Sequence, residues 1–404
     1  MDPTESTGFA TRAIHDGDES MQVNDLATDV VSPIHLSSTF RLKEVPDRSL
    51  MDLDPGRGEY LYSRLGNPTR QRFEERIASL AGGDYGFAFN SGTAAVLTTV
   101  LATVQPGDSI VAFDDLYGGS LKLLDQVASD RLGMEVQLVD ARKVDAVTEA
   151  VDDETALVLM ESPTNPLLHL CDIESIADIA QEYDVPMAVD NTFASPYFQQ
   201  PLDLGADIVI HSTTKFLNGH SDGLGGAVVT SDEELADQIS FLQRVGLGNP
   251  MSPFDAYMVL RGMKTLAPRM EHHQRNAMAL AEYLDGNDLV RHVRYPGHES
   301  HPQHALATEQ MRGFGGVLSF ELDGDGADAR RFLEVLEVFS LGVSLGGVES
   351  LIELPAAMTH ESVEPAVRAE RGITDTLIRA SVGIEDLDDL VADLERGFSA
   401  AFGG

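Results

Sequence analysis

Short apolar runs alternate with helical patterns along the chain from about Pro68 to Thr230. The apolar runs are YGFAFN, SIVAF, TALVLM, VPMAVDN and ADIVIHS, and helical segments such as FEERIASLAGG and TAAVLTTVLATV lie between them. Strands that are apolar on both faces and alternate with helices are typical of a parallel sheet covered by helices on both sides. The pattern therefore predicts an α/β domain with a mainly parallel sheet.

The rest of the chain follows other patterns. Glycine and proline between Gly246 and Pro253 interrupt the alternation, and one long helical stretch, PFDAYMVLRGMKTLAPRMEHHQRNAMALAEYLDG, follows. The last third mixes a strand, GGVLSFEL, with helical segments, ADARRFLEVLEVF and EDLDDLVADLERGFSAAF, which predicts a smaller α+β domain. The first 60 residues show little periodicity and include the turn-rich segment DLDPGRG. We therefore expect an N-terminal arm over 1–60, a large domain over 61–265 and a small C-terminal domain over 266–404.

Charge and composition exclude several classes of protein. With 28 basic and 66 acidic residues the net charge is −38, which opposes binding to nucleic acid or anionic membranes. No apolar run approaches the roughly 18 residues that span a bilayer, and the first residues do not form a basic and apolar leader. We therefore expect a cytoplasmic protein with neither a nucleic-acid partner nor a membrane partner.

Cysteine and lysine are both rare. Cys171 is the only cysteine, which excludes an internal disulfide and a multi-cysteine metal site, and we expect no metal. Only five of the 28 basic residues are lysine, and strong acidity with few lysines is similar to the composition of proteins adapted to high salt.

The strongest chemical signal is the segment HSTTKFLNGHSDGLGG, residues 211–226, which follows an apolar strand. A lysine at the end of a buried strand can reach a cleft, where a lowered pKa makes its amine nucleophilic toward an aldehyde. Ser212 and Thr214 can donate hydrogen bonds to a phosphate beside Lys215. Taken alone, Lys215 is also compatible with an ordinary lysine at the end of a strand.

Four other strands end in polar or aromatic groups that would meet Lys215 at the same edge of a parallel sheet. Asp190 can hold a pyridine nitrogen protonated, and Ser91, Gly92 and Thr93 open a helix whose free N–H groups suit a phosphate. Tyr117 can lie over an aromatic ring, and the amide of Asn165 can meet the cofactor or a substrate carboxylate. Each signal is weak alone, but together they predict a pyridoxal-phosphate site.

These residues occur in motifs that resemble the Cys/Met metabolism family of pyridoxal-phosphate-dependent enzymes. The resemblance runs from FATRAIH at residues 9–15 through YSRLGNPTR, DDLYGG, SPTNP, DNTFASPY, HSTTK and SLGGVESL to LIRASVGIED. It implies an aspartate aminotransferase-like fold (fold type I), with Lys215 carrying pyridoxal 5′-phosphate as a Schiff base. It also implies a homo-oligomer, at least a dimer with shared active sites and usually a tetramer.

The resemblance also implies a role for each matching residue. Lys215, Tyr117 and Tyr62 would be catalytic, and Arg379, Asn165 and Ser344 would bind the substrate. The cofactor would be held by Tyr62, Arg64, Ser91, Gly92, Thr93, Tyr117, Asp190, Ser212, Thr214 and Lys215. Tyr62 and Arg64 would reach the site of a neighbouring subunit.

The activity implied is γ-elimination or γ-replacement on sulfur-containing or homoserine-derived amino acids, as in cystathionine gamma-lyases and gamma-synthases. Many members that act on cystathionine carry glutamate at the positions of Val343 and Leu61, and methionine-specific lyases usually carry cysteine at the position of Gly119. The alternatives are a methionine gamma-lyase, an O-acetylhomoserine sulfhydrylase, an aminotransferase of the same fold, or a scaffold protein without catalytic activity.

Overall fold

Seven strands form the larger of two main sheets, and five strands form the smaller one. The computed structural model describes residues 7–17, 22–24, 27–45, 47, 58–361 and 363–403. Of the predicted turn segment DLDPGRG, only Gly58 lies within the described residues.

The helices in these ranges are α1 Phe9–His15, α2 Pro68–Ala81, α3 Gly92–Thr103, α4 Gly118–Leu123, α5 Asp130–Leu132, α6 Val144–Ala150, α7 Ile173–Glu182, α8 Ser195–Phe198, α9 Glu233–Phe241, α10 Pro253–Met263, α11 Leu266–Asp285, α12 His304–Gln310, α13 Gly326–Glu334, α14 Pro365–Glu370 and α15 Leu387–Phe402. The strands are β1 Gln22–Asn24, β2 Ala27–Thr28, β3 Tyr85–Phe89, β4 Ser109–Phe113, β5 Glu135–Val139, β6 Thr155–Glu161, β7 Met187–Asp190, β8 Ile208–Ser212, β9 Gly226–Thr230, β10 Val290–Arg294, β11 Val317–Leu322, β12 Ser340–Leu341, β13 Leu351–Glu353 and β14 Leu377–Ser381. No helix in the described part of the chain is long and apolar enough to cross a membrane.

The larger sheet has the strand order β3-β9-β8-β7-β6-β4-β5. Only β9 runs against its neighbours, so the carboxyl ends of the other six strands lie at one edge. All five residues of β9 are buried, as expected for a central strand covered on both faces. The predicted α/β architecture with a mostly parallel sheet is confirmed.

The smaller sheet has the order β10-β11-β14-β13-β12, and all its pairs except β12 with β13 are antiparallel. The apolar side chains of this sheet pack with those of α11, α13 and α15, and Phe332 makes edge contacts with both Phe320 and Phe398. A second, smaller domain with strands and helices agrees with the sequence pattern. The exact limits of the arm and of the two domains stay predictions.

The long helical stretch after Pro253 is two helices in the structure, because α10 ends at Met263 and α11 begins at Leu266. Pro268 explains the break. Its ring lacks an N–H and would clash with the carbonyl of Lys264 in a continuous helix, but it is tolerated in the first turn of α11.

Candidate active site

Lys215 follows β8 at the edge where the parallel strands end. Its Nζ donates a hydrogen bond to Ser344 Oγ at 2.7 Å. Gly346 (φ 81°) lies against the Lys215 backbone so closely that a Cβ there would be 2.6 Å from the Phe216 nitrogen. Burial, with a contribution from the Arg379 charge, lowers the pKa of Lys215 to about 8. The amine is therefore held in one place and is neutral in a large fraction of molecules near pH 8.

Arg379 lies in β14 of the smaller sheet and reaches the same point. Its Nη2 donates to the backbone oxygen of Ser344 at 2.6 Å, and its Nη1 donates to Asn165 Oδ1 at 2.9 Å. Ser344 thus contacts both Lys215 and Arg379, and it does so at φ 89°, in the left-handed region that non-glycine residues rarely adopt. The three predicted substrate-binding residues, Asn165, Ser344 and Arg379, lie together.

Glu353 is a partner of Arg379 that the sequence interpretation did not include. It lies directly opposite Arg379 in the antiparallel pair β13 and β14, and its Oε1 is 3.0 Å from Arg379 Nη1. Burial raises the pKa of Glu353, and the Arg379 charge opposes that rise. The only sequence signal was an acidic residue within an otherwise apolar strand, LIELP, since the pairing of β13 with β14 cannot be read from one strand.

Asp190 ends β7, next to the end of β8. Its Oδ1 accepts hydrogen bonds from the backbone N–H of Thr192 at 3.0 Å and from the Thr192 hydroxyl at 2.5 Å. The same hydroxyl accepts the N–H of Ser212 at 2.8 Å. Burial raises the pKa of Asp190, although the hydrogen bonds from Thr192 oppose the rise. Thr192, another residue that the sequence interpretation missed, connects the predicted pyridine-binding carboxylate with the predicted phosphate-binding segment.

The start of α3 lies beside Ser212. Ser91 is the N-cap, and its Oγ accepts the N–H of Ala94 at 3.1 Å. A Cβ at Gly92 would lie 3.0 Å from Ser212 Cβ, so glycine allows this close approach. Gly92 and Thr93 are the first helical residues, whose N–H groups have no acceptor within an α-helix. Their donors therefore suit an anion between α3 and Ser212.

Thr214 follows Ser212 and is held by the backbone of Gly225. Its Oγ1 accepts the Gly225 N–H at 3.1 Å and lies 3.3 Å from the Gly225 oxygen. A side chain at Gly225 would be 2.4 Å from Thr213 Oγ1. The turn before β9 is therefore fitted closely around the segment that carries Lys215.

Tyr117 is the N-cap of α4, and its side chain is exposed in the single chain. Its backbone N–H donates to Glu161 Oε2 at 2.7 Å. Glu161 is buried at the end of β6, in register with Asp190 on β7, and the sequence interpretation did not include it. Tyr117 is therefore connected to the Asp190 end of the site through Glu161.

Tyr62 and Arg64 are two predicted site residues whose side chains contact each other. Arg64 donates a hydrogen bond to the backbone oxygen of Arg244 and stacks over the Tyr62 ring, 5.7 Å from its centroid. Both side chains are exposed. Their contribution to the site of a neighbouring subunit stays a prediction.

A cleft of about 820 Å³ opens beside Ser344 and Thr214. Val343, Leu224 and Leu351 give it apolar walls, and Asp222 and Asp255 lie at its sides. Ser344, which contacts both Lys215 and Arg379, is part of the wall of this cleft.

The donor set fits pyridoxal 5′-phosphate. A half-buried amine with a lowered pKa suits the aldehyde, a carboxylate with one free oxygen suits the pyridine nitrogen, and the start of α3 with Ser212 suits the phosphate. In the described part of the chain no group of three or more histidine, cysteine, aspartate or glutamate residues forms a metal site.

Comparison with known proteins gives consistent matches along almost the whole chain. The family model of the Cys/Met metabolism PLP-dependent enzymes matches residues 10–399. The chain is 47% identical over 390 residues to a cystathionine gamma-lyase of Dictyostelium discoideum, covering 96% of this chain and 97% of that protein. It is 48% identical over 387 residues to a cystathionine beta-lyase of Coxiella burnetii, covering 95% and 96%.

A solved structure also matches this chain along almost its whole length. The crystal structure of cystathionine gamma synthase from Xanthomonas oryzae pv. oryzae in complex with aminoacrylate and cysteine matches with a TM-score of 0.92 and 42% identity. The match covers 99% of this chain and 100% of that chain.

Proposed function

The chain belongs to the Cys/Met metabolism family of PLP-dependent enzymes, and from this premise we propose that it breaks or forms the bond at Cγ of cystathionine or of an acylated homoserine. Its cofactor is pyridoxal 5′-phosphate. The expectation of a PLP-dependent carbon–sulfur lyase or transferase is confirmed by these matches.

One observation carries the proposal for the site: Ser344 contacts both Lys215 and Arg379. Its Oγ accepts a hydrogen bond from Lys215 Nζ at 2.7 Å, and its backbone oxygen accepts one from Arg379 Nη2 at 2.6 Å. Arg379 presents a planar fork that binds a carboxylate with two hydrogen bonds. A substrate carboxylate on Arg379 places the neighbouring Cα within reach of the Lys215 amine. An α-amino acid is the substrate class that this geometry favours.

Bound pyridoxal phosphate would supply an electron sink for negative charge at the substrate's Cα. Lys215 would hold the cofactor through Nζ, and its amine would take the Cα proton and return a proton during bond cleavage. Ser344 Oγ would orient Nζ for both tasks. Asp190 would accept the N–H of the pyridine ring, while Gly92, Thr93, Ser212 and Thr214 hold the phosphate. Tyr117 would lie over the ring and move a proton to or from the substrate amine or the leaving group.

The residues around the cleft favour a substrate whose distal amino group does not form an ion pair with a glutamate. Val343 lines the cleft where many members that act on cystathionine carry glutamate. At Gly119 a Cβ would lie 2.3 Å from the Tyr117 ring, so a cysteine there would require the ring to move. Gly119 weighs against the methionine gamma-lyase alternative, while Val343 weakens the case for binding the distal amino group of cystathionine by charge.

Product analysis tests the proposal. Purified holoenzyme is incubated with cystathionine, methionine, or O-acetylhomoserine plus cysteine, and the products are separated by chromatography. We expect cysteine, 2-oxobutanoate and ammonia from cystathionine, or cystathionine from O-acetylhomoserine and cysteine. Homocysteine with pyruvate would instead show cleavage at Cβ, as the name of the Coxiella burnetii relative indicates for that protein. Pyridoxamine phosphate without released ammonia would show an aminotransferase and would contradict the proposal.

We also propose that the active unit is a homodimer or a tetramer of such dimers, with Tyr62 and Arg64 completing the neighbouring site. Both side chains are exposed and lie beside Arg244 in their own chain. Large apolar side chains are also exposed in a single chain, among them Val30, Leu36, Leu224 and Phe254. Their burial against a neighbouring subunit would remove apolar surface from water.

We propose that this protein works at high ionic strength, because its sequence has 66 acidic residues and only 28 basic ones. The cytoplasmic location stays a prediction from the sequence.

A further inference from the structure

Glu161 lies behind the proposed cofactor site and has no task in the chemistry described above. It is 4% exposed and ends β6, where it pairs in register with Asp190 of β7. Neighbouring parallel strands lie about 4.8 Å apart, and paired residues point to the same face of the sheet. The two carboxyl groups are therefore neighbours in the interior.

The hydrogen bonds of Glu161 go to two other proposed site residues. Its Oε2 accepts the backbone N–H of Tyr117 at 2.7 Å, and the backbone N–H of Asn165 also bonds to its carboxyl group. Tyr117 follows β4, and Asn165 follows β6. One side chain therefore fixes two loops that carry the predicted ring-stacking and substrate-binding residues.

The charges nearest to Glu161 are acidic. Burial and then the Asp190 carboxylate raise the pKa of Glu161 well above its usual range, and Asp115 acts in the same direction. The N–H groups of Tyr117 and Asn165 oppose the rise. Burial raises the pKa of the nearby Cys171 thiol to about 12, and the Glu161 charge acts in the same direction, so the thiol stays neutral. Two buried carboxylates side by side cannot both carry a negative charge at low cost.

We propose that Glu161 is a positioning residue that keeps its proton in the working enzyme, so that Asp190 alone carries negative charge toward the cofactor while a neutral carboxyl oxygen holds the Tyr117 loop. The proposal rests on the proposed roles of Asp190 and Tyr117. Asp190 keeps one oxygen, Oδ2, that Thr192 does not use, and the residue is partly exposed whereas Glu161 is buried. A neutral neighbour leaves that oxygen free to accept the ring N–H.

The first experiment uses the cofactor-free protein, so its outcome does not depend on which reaction the enzyme catalyses. The wild type, Glu161→Gln and Glu74→Gln are unfolded with urea between pH 5 and pH 9. Glu74 is the matched control because it is also buried but lies 3.4 Å from a cation, Arg70.

The sign of the effect follows from the raised pKa of Glu161. A group whose pKa is higher in the folded state contributes stability that is lost as pH rises above the unfolded value, here about 4.5. The free energy of unfolding of the wild type should therefore fall as pH rises. The fall should be smaller for Glu161→Gln. At pH 8 the free energy of unfolding of Glu161→Gln should equal or exceed that of the wild type. Glu74→Gln should be less stable than the wild type there. If Glu161→Gln is destabilised at pH 8 as Glu74→Gln is, Glu161 is needed as an ion and the proposal is wrong.

The second experiment follows the site through the visible circular dichroism and the retention of bound pyridoxal phosphate. Glutamine keeps an oxygen that accepts the Tyr117 N–H, so Glu161→Gln should keep the dichroism of the wild type. Glu161→Ala removes the acceptor and should weaken cofactor retention about tenfold. Equal behaviour of Glu161→Ala and the wild type would contradict the positioning role. If Glu161→Ala does not fold, the comparison of Glu161→Gln with the wild type still decides.

Discussion

At the scale of single residues, burial and a neighbouring cation act in the same direction on the amine of Lys215. An ordinary lysine titrates near 10.5, whereas here the pKa is lowered to about 8. Below that pH the amine is protonated and cannot attack an aldehyde, and above it the neutral amine dominates. The pH dependence of cofactor attachment therefore reports the environment of Lys215.

We predict that the rate at which cofactor-free protein gains visible absorbance after addition of pyridoxal phosphate rises with pH around a midpoint near 8. Arg379→Gln should move the midpoint upward, because the Arg379 charge contributes to the lowered pKa. Lys215→Ala should show neither this absorbance change nor turnover. A midpoint near 10.5 in the wild type would contradict the burial argument.

A second prediction concerns Arg379, whose guanidinium is held by Glu353, Asn165 and Ser344. Arg379→Ala should mainly raise KM for the amino acid, because a lost charged hydrogen bond weakens substrate and transition state alike, by about 1.5 to 3 kcal/mol. Arg379→Lys is the matched variant, which keeps the charge but loses the two-pronged geometry. Steady-state kinetics measure both, and an unchanged KM in Arg379→Ala would show that another residue holds the carboxylate.

At the scale of helices and strands, the elements with a strong period were predictable and the contacts between them were not. The strand ends that carry Lys215, Asp190 and Asn165 follow from apolar runs that stop at polar residues. Glu161 and Glu353 are the last residues of β6 and β13, and their importance arises from register with Asp190 and Arg379 on neighbouring strands. A single sequence contains the strands but not their register.

The helix predicted for ADARRFLEVLEVF shows a similar limit. Helix α13 ends at Glu334, although the apolar spacing continues to Phe339. The Asp393 carboxylate on α15 accepts the backbone N–H groups of Glu337, Val338 and Phe339 at 2.9 to 3.2 Å. These N–H groups point to a side chain more than 50 residues away in sequence, so local propensity does not decide the conformation.

We predict that Asp393→Asn lowers the free energy of unfolding by about 2 to 4 kcal/mol, because the amide NH₂ group would face N–H donors and leave some of them unpaired in the interior. Glu395→Gln removes one negative charge from the exposed side of the same helix and should change stability by less than about 0.5 kcal/mol. Urea unfolding at neutral pH compares the two variants. Equal effects would mean that charge, and not the contact with residues 337–339, governs the stability of this helix.

At the scale of the whole molecule, the net charge of −38 makes the surface self-repelling at neutral pH. Salt screens such repulsion, since the screening length falls from about 10 Å at 0.1 M to about 3 Å at 1 M. We predict that the thermal midpoint rises as KCl is increased from about 0.1 to 2 M. The effect should shrink at pH 5, near the isoelectric point of about 4.4, and a midpoint independent of salt at neutral pH would contradict adaptation to high salt.

The shared active site is the largest-scale prediction. If Tyr62 and Arg64 serve a neighbouring subunit, a Lys215→Ala subunit and an Arg64→Ala subunit complement each other. The Lys215→Ala chain lacks the cofactor amine, and the Arg64→Ala chain weakens the phosphate clamp of its neighbour. In a hybrid dimer, the site that contains the intact Lys215 receives the intact Arg64.

We predict that a mixture of the two variants, exchanged by refolding or co-expression, is more active than the average of its parents. With random pairing half of the dimers are hybrids and one of their two sites is intact, so about a quarter of all sites should be restored. If Arg64 served its own chain, every site of the hybrid would keep one defect and no recovery would appear. Turnover is measured on samples whose hybrid content is verified by native mass spectrometry. Activity at or below the parental average would reject the shared site, while the Lys215 chemistry and the contacts of Arg379 would be unaffected, because both are made within one chain.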